Sequence, residues 1–396
     1  MSSTYLPRRI EAGPDSLEKL GEVAMENGIS NLFVVIDAFL VSPDLQYAQK
    51  IRDIILKEEL VVSFFSDYKG EPTTDHLDAA LVQLHASNAD GVVAIGGGSA
   101  IDIAKAVSLF AVNSELDWGD IPKQKRLKRL PLLAVPTTAG TGSEATKVMV
   151  IKNMETEVKM NPGHKDLIPD AAILDPVLTK SLPKHFTAYT GLDALAHAME
   201  AYISKRSSNT TDSYALNAIQ KIGKSLPIAY GNGQDIEARE EMLLASCYAG
   251  IAFSNASTNL AHAAGRPLGA RFHIPHGLSV ALLLPFVVEF GLEIAEERYA
   301  RIAIGLGEED LDDRKLLAAK TLKLTEYYND KFSIWKDGLR YINLQEFKEN
   351  IPLLVEDALS GNGIATNPKV PTGSDIEQIF NALLKKLMET AMIEAV

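Results

Sequence analysis

Hydrophobic and polar positions follow two different patterns along the chain. In the first half, short apolar runs alternate with longer amphipathic ones. "NLFVVID" (31–37), "GVVAIGG" (91–97), "LPLLAVPTT" (130–138) and "AAILDP" (171–176) have the length and continuity of strands buried on both faces. Between them, "PTTDHLDAALVQLHASNA" (72–89) and "AIDIAKAVSLFAV" (100–112) carry helical spacing. Strands alternating with helices predict a parallel sheet covered on both faces, with ligands at the carboxyl ends of its strands. From about residue 184 the pattern becomes helical throughout: "FTAYTGLDALAHAMEAYIS", "TDSYALNAIQKIGKSL", "IEAREEMLLASCYAGIAF" and "SDIEQIFNALLKKLMETAMIEAV" show few strand signals. Prolines at 176 and 183 bracket the junction. The expected fold is an α/β domain over residues 1–183, followed by an all-α domain over 184–396, with a cleft between them. No internal repeat or low-complexity segment interrupts it.

Composition narrows the function without naming it. With 46% hydrophobic and 23% charged residues in 396, the chain reads as globular. No apolar run of about eighteen residues marks a membrane span, and "MSSTYLPRRIEAGPDSL" lacks an apolar export core, so a cytoplasmic location is expected. Thirty-nine basic against fifty-two acidic residues give a net charge of −13, a surface that repels nucleic acid and anionic membranes. The expected partners are therefore small molecules. The single cysteine, Cys247 in "EMLLASCYAGIAF", excludes an intrachain disulfide and a multi-cysteine zinc site, and its apolar setting suits a small core residue. The acidic run "LGEEDLDDRK" (306–315) reads as a solvated helix start or loop.

Four segments carry candidate chemistry. In "AIGGGSAIDIAKAV" (94–107) a strand runs through glycines and Ser99 into a helix, so backbone N–H groups and a helix N-terminus can cradle a pyrophosphate. It matches neither G-x-G-x-x-G nor a Walker A loop, and Asp102 is either a residue complementing the helix dipole or a ligand contact. In "VPTTAGTGSEATK" (135–147), Thr138, Thr141 and Ser143 offer hydroxyl donors suited to a second wall of the same site. Asp37 ends the first strand, where a carboxylate accepts ribose hydroxyls and repels a 2′-phosphate, favouring NAD over NADP. In "GLDALAHAMEAY" (191–202), Asp193 and His197 lie one turn apart on a largely apolar helix, where a buried carboxylate needs a compensating cation; Glu200 is a candidate partner behind them. In "TNLAHAAGRPLGARFHIPHG" (258–277), two of His262, His273 and His276 would complete a donor set of one oxygen and three nitrogens, which suits Fe(II) or Zn(II) acting as a Lewis acid.

In "GGGSAIDIAKAV", "PTTAGTGSEAT", "DPVLTKSLP" leading to "GLDALAHAMEAYIS", "AHAAGRPLGARFHIPHGLSVALLLP" and "TNPKVPTGSDIEQI", in that order and over nearly the whole length, the chain resembles the iron-containing (group III) alcohol dehydrogenase family. The resemblance implies the superfold of dehydroquinate synthase, with an N-terminal dinucleotide-binding domain and a helical metal domain. It implies metal ligands at Asp193, His197, His262 and His276, and a nicotinamide coenzyme held by Gly97, Gly98, Ser99, Asp102, Thr138, Thr141 and Lys159, with Asp37 selecting NAD. It further implies an aromatic, Phe253, against the substrate, a homodimer, and reversible hydride transfer between NAD(H) and an alcohol or aldehyde.

The chain also departs from that family. Where the family places a second histidine four residues after His262, often credited with proton relay, Arg266 stands here, and glycine, leucine and glycine upstream are replaced by Ser257, Thr258 and Asn259. An arginine stays protonated and cannot act as a base near neutrality. A guanidinium fork does bind carboxylate, sulfonate or phosphonate. The expectation is a small aldehyde with an anionic end, such as sulfoacetaldehyde or succinate semialdehyde, gripped by Arg266 with Ser257, Thr258 or Asn259, and with His273 a candidate for proton transfer. A neutral primary alcohol, diol or lactaldehyde-type substrate stays open. A zinc-dependent relative of glycerol dehydrogenase is disfavoured by the Asp-x3-His and His-x13-His spacing, and a non-catalytic NAD-binding subunit by the full ligand set.

Overall fold

The computed structural model describes residues 3–42 and 46–394. The chain divides into two compact units, one of Tyr5–Ser181 and one built from Leu182 onward. In the first unit six parallel strands, β1 (Arg9–Ala12), β2 (Asn31–Ile36), β3 (Val61–Phe65), β4 (Gly91–Gly96), β5 (Leu132–Pro136) and β8 (Ala171–Leu174), form one sheet in the order β1-β8-β5-β4-β2-β3. A small antiparallel pair, β6 (Ile151–Lys152) and β7 (Lys159–Met160), lies outside it. Helices α1 (Leu20–Glu26), α2 (Tyr47–Lys57), α3 (Thr74–Ser87) and α4 (Gly98–Phe110) connect the strands.

Alternation along each strand sends successive side chains to opposite faces. Phe33, Val35, Val92, Ala94, Leu132 and Ala134 join one apolar core, while Leu32, Val34, Ile36, Val93, Ile95, Leu133 and Val135 join the other. Both faces are thus buried, which explains the unbroken apolar runs. From β2 the chain moves outward to β3, then returns to β4 on the other side of β2 and continues to β5. This reversal makes the β2/β4 boundary a topological switch point, where the loops after neighbouring strands diverge and leave room for a ligand.

The second unit contains α5 (Lys184–Ile203), α6 (Asn209–Gly231), α7 (Ile236–Ala256), α8 (Leu260–Phe272), α9 (His276–Gly291), α10 (Glu296–Gly305), α11 (Arg314–Lys331), α12 (Ile334–Gly338), α13 (Leu344–Leu359) and α14 (Gly373–Glu394). Most of α5 is buried, as its run of alanines and leucines suggests, and no described helix is long and apolar enough to cross a membrane. Cys247 is buried on α7. The acidic run after residue 306 forms the connection into α11, whose N-cap is Asp313.

Candidate metal centre and coenzyme cradle

On α5, Asp193, His197 and Glu200 follow one another at spacings of four and three, which puts them on one face of the helix. Two further helices deliver histidines to that face. The first turn of α9 approaches α5 at Gly277, where a Cβ would stand 2.3 Å from the Tyr189 carbonyl oxygen and 3.3 Å from Asp193 Cβ; a glycine there lets His276 reach the site. The N-terminus of α8 is fixed by Asn259 Nδ2, which donates to the Glu200 carbonyl (2.7 Å), and by Glu200 Oε1, which accepts from the Ala261 (2.6 Å) and His262 (3.3 Å) amides. Ligand atoms of Asp193, His262 and His276 consequently lie within 4.8 Å of one another. His262 Nε2 is 3.3 Å and His276 Nε2 3.7 Å from Asp193 Oδ1. His197 is not one of these three; its Nδ1 stands 3.9 Å from Asp193 Oδ2, and its ring stacks on His262 and Phe253 at centroid distances of 4.2 and 4.1 Å.

The donors fit a divalent cation on their own chemistry. His262 Nδ1 donates to Glu200 Oε2 at 2.5 Å. That bond turns the Nε2 lone pair towards Asp193 Oδ1, and both of these buried atoms lack a hydrogen bond. Lone pair against lone pair is unfavourable unless positive charge sits between them, and the carboxylate–histidine arrangement behind His262 is the usual way to orient a metal-binding imidazole. Burial alone would raise the Asp193 carboxyl, yet the imidazoles of His197, His276 and His262 hold it well below the usual carboxylate range. Burial would likewise lower His262, but the Glu200 charge and the contacts with Asp193 and Glu200 push it up to about 9. His276 is 44% exposed, so the donor cluster opens to solvent on its side.

In the first unit, Asp37 and the glycine turn meet at the switch point. Asp37 Oδ2 accepts from the Gly97 amide (2.9 Å) and Oδ1 from the Tyr68 hydroxyl (2.8 Å). Gly97 caps α4, and a Cβ there would stand 3.6 Å from Thr138, while a Cβ on Gly98 would come to 2.9 Å from Thr141 Cγ2. The turn, Ser99 at the start of α4, and the Thr138–Thr141 segment are therefore adjacent. The structure gives other expected coenzyme contacts internal partners. Asp102 Oδ1 accepts from Ser143 Oγ (2.7 Å) and Oδ2 from the Val150 amide (2.9 Å). Lys159, exposed on β7, pairs with Glu71.

Among the expected substrate residues, Arg266 is solvent-accessible on α8 yet closely surrounded by protein, and burial lowers its guanidinium against the opposing charges of Glu200 and Asp193. No ion pair joins it to a carboxylate among the described residues. Asn259 is fully buried and spent internally: its amide donates to Glu200 and its Oδ1 accepts from Thr366 Oγ1 (2.9 Å). Ser257 ends α7 at φ 97°, with its hydroxyl on the Thr258 carbonyl (2.9 Å); Thr258 is buried. His273 is an exposed C-cap of α8 at φ 54°.

Two residues that the sequence reading passed over stand out. Lys105 is wholly buried on α4, and its Nζ donates to Ser143 Oγ (3.0 Å), Thr146 Oγ1 (2.9 Å) and the Val148 carbonyl (2.7 Å). Burial pushes this ammonium down to about 8 despite Asp102 and Glu144. Glu144 is buried with Oε1 lacking a hydrogen-bond partner, and burial pushes its carboxyl up to about 7. The one sequence signal was a lysine in the otherwise apolar stretch around Ala104 and Ala106.

Comparison with known proteins places the chain. Residues 7–176 match the family described as iron-containing alcohol dehydrogenase, and residues 187–384 match the Fe-containing alcohol dehydrogenase family, C-terminal. Among curated relatives, the probable alcohol dehydrogenase EutG of Escherichia coli (strain K12) is 44% identical over 79% of each chain. The NAD-dependent methanol dehydrogenase of Bacillus methanolicus is 34% identical over 97% of this chain and 100% of its own. Among solved structures, sulfoacetaldehyde reductase from Bifidobacterium kashiwanohense, in complex with NAD+, superposes with a TM-score of 0.85 at 29% identity, covering 97% of this chain and 99% of that one. An α/β unit with a coenzyme-type glycine turn, a helical unit with a carboxylate–histidine cluster, and these matches over both halves lead to one assignment: the chain belongs to the iron-containing alcohol dehydrogenase family and is an NAD-dependent oxidoreductase.

Proposed function

We propose that this alcohol dehydrogenase interconverts a small aldehyde bearing an anionic end and its alcohol, with Arg266 gripping the anion. The observation that carries this reading is a guanidinium close to the donor cluster that has no carboxylate partner among the described residues. The similarity to a sulfoacetaldehyde reductase is consistent with it. Ser257 and Thr258 are secondary candidates for the same grip; Asn259 is assigned to holding α8 against α5.

The chain's own groups take the following roles. Asp193, His197, His262 and His276 would hold the ion, Fe(II) as the family implies or Zn(II) with the same donors. When bound, the ion supplies Lewis-acid polarisation of the substrate oxygen. Glu200 fixes the tautomer and orientation of His262. Gly97, Gly98 and Ser99 present amides and a helix N-terminus to the coenzyme pyrophosphate. Asp37 accepts the ribose hydroxyls and excludes a 2′-phosphate, and Thr138 and Thr141 line the opposite side. Residues 1–183 form the coenzyme domain and 184–396 the metal domain of a homodimeric enzyme. Since Arg266 keeps its proton, it orients substrate and does not relay protons.

A second reading, a neutral primary alcohol, is favoured by the relative named for methanol. The experiment that separates the two compares kcat/KM of the parent and Arg266→Ala on succinate semialdehyde, sulfoacetaldehyde, acetaldehyde and propanal. The anion reading predicts a loss of about 100-fold confined to the charged aldehydes, the size of a charge-assisted bidentate contact. An equal loss on all four contradicts it.

A further inference from the structure

We infer that Tyr68 sets the coenzyme preference of the enzyme by clamping the Asp37 carboxylate where it meets the ribose hydroxyls and repels a 2′-phosphate. This inference rests on the reading of Asp37 given above.

Asp37 directly follows β2, the central strand of three. The turn following β4, on one side, supplies the Gly97 amide to Oδ2; the segment following β3, on the other side, supplies the Tyr68 hydroxyl to Oδ1. The Asp37 amide itself donates to the Ile95 carbonyl (3.1 Å), so the backbone that carries the carboxylate is fixed in line with the sheet. Because each donor takes a different oxygen, the carboxylate cannot swing aside without breaking one of the two bonds. Each oxygen keeps further acceptor capacity for a ribose hydroxyl. The carboxylate fits there only because residue 96 is glycine: a Cβ on Gly96 would stand 2.5 Å from Asp37 Oδ2.

The clamp is itself immobilised. Tyr68 is only 6% exposed; its ring stacks on Phe65 (centroids 6.2 Å apart, 17° between planes) and meets His76 edge-on, and Phe65 stacks in turn on Phe33 within the sheet core. Burial, the Asp37 charge and the bond to Asp37 raise the Tyr68 phenol far above its ordinary range, so it is a hydrogen donor at every working pH. Asp37, by contrast, is only half-buried and stays reachable. A 2′-phosphate brings about −1.5 to −2 charge, as any phosphate monoester does near neutrality. It can enter only if the carboxylate turns away, and donation from Tyr68 opposes that. If the ring served packing alone, phenylalanine would do equally well.

The test measures kcat/KM for NAD+ and NADP+ at a fixed saturating alcohol for the parent, Tyr68→Phe, Asp37→Ala and the double variant. The NAD+ over NADP+ preference of Tyr68→Phe falls about tenfold, the lower range for one hydrogen bond to a charged group. Asp37→Ala falls further, and the double variant matches Asp37→Ala within about twofold, since Tyr68 acts through Asp37. A Tyr68→Phe preference within twofold of the parent, with Asp37→Ala still shifted, overturns the clamp and leaves the role of Asp37 standing. An unchanged preference in Asp37→Ala overturns both. A double variant well below Asp37→Ala also overturns the clamp, because Tyr68 would then touch the coenzyme directly.

Discussion

Replacing Glu200 by glutamine tests the metal site without touching a ligand. The carboxylate is 1% exposed and takes three bonds: Oε1 from the Ala261 and His262 amides, Oε2 from His262 Nδ1. A glutamine carbonyl can keep the two backbone donors and so preserve the N-terminus of α8. Its amide nitrogen then faces His262 Nδ1, donor against donor. Without metal the imidazole resolves this by giving up the Nδ1 proton and keeping the one on Nε2, which stands 3.3 Å from Asp193 Oδ1. That remaining hydrogen bond limits the loss, so the metal-free protein keeps its stability within about 1 kcal/mol. With a metal on Nε2, however, the proton must sit on Nδ1, against the glutamine amide instead of a carboxylate. Loss of such an orienting partner typically weakens metal affinity by about 10–100-fold. The assay is anaerobic titration of chelator-treated protein with Fe(II), and in parallel Zn(II), together with the thermal midpoint at fixed metal. Metal-linked stabilisation drops by about 1.4–2.7 kcal/mol for that weakening. A Kd within twofold of the parent would refute the reasoning, as would a metal-free variant that is itself unfolded.

Three further outcomes follow from the packing. Gly277→Ala forces the first turn of α9 away from the Tyr189 backbone, which a Cβ would meet at 2.3 Å; unfolding shows a loss of about 1–3 kcal/mol and metal titration at least tenfold weaker binding, whereas unchanged metal affinity would mean that His276 is not placed by this contact. Lys105→Met removes the cation beside the Asp102 carboxylate, which keeps its bonds to Ser143 and Val150, and the donor to Ser143 and Thr146, costing about 3–5 kcal/mol in urea unfolding, and adding Asp102→Asn restores part of the loss; strictly additive effects would contradict the pairing. Glu144 titrates near 7 in the folded chain against 4.5 unfolded, so the folded state holds its proton across that interval and the stability it lends is lost as pH rises through 7. Glu144→Gln lacks that loss, and its advantage over the parent grows between pH 5 and pH 8 by up to about 3 kcal/mol; a gap independent of pH would show that the carboxyl is not so perturbed.

What the sequence disclosed depended on how local each feature is. The α/β and all-helical halves were legible because period and run length are local: the runs at 31–37 and 91–97 appear as β2 and β4. The edge strands β1 and β3 went unread. "RIEA" is four residues with two charges, and β3 is exposed at Val61 and fully buried only at Phe65, so neither has the apolar continuity of a central strand. Asp193, His197 and Glu200 share a helix face by spacing alone, but the task of Glu200 arises only when α8 arrives 61 residues later to offer its amides. Asp102 and Ser143 looked like ligand contacts because carboxylates and hydroxyls beside glycines usually are. Their partner, Lys105, lies three residues from one and 38 from the other, and no local pattern names it. Asn259 misled in the same way: a polar residue in place of a small one suggested a substrate contact, while its fully buried amide holds two helices together. Arg266 was visible as a departure from the family pattern, and the structure adds that it forms no direct ion pair with a carboxylate among the described residues, although Glu200 and Asp193 attract it from a distance.

The most direct test of a metal-dependent, NAD-linked reaction is to strip the protein with chelator and titrate Fe(II) back anaerobically. NADH oxidation with a small aldehyde is followed beside the thermal midpoint. The account predicts that stripped protein is inactive, that activity and midpoint rise together and saturate at one ion per chain, and that His262→Ala shows neither rise. Full activity in the stripped protein, or an undiminished response in His262→Ala, would contradict it.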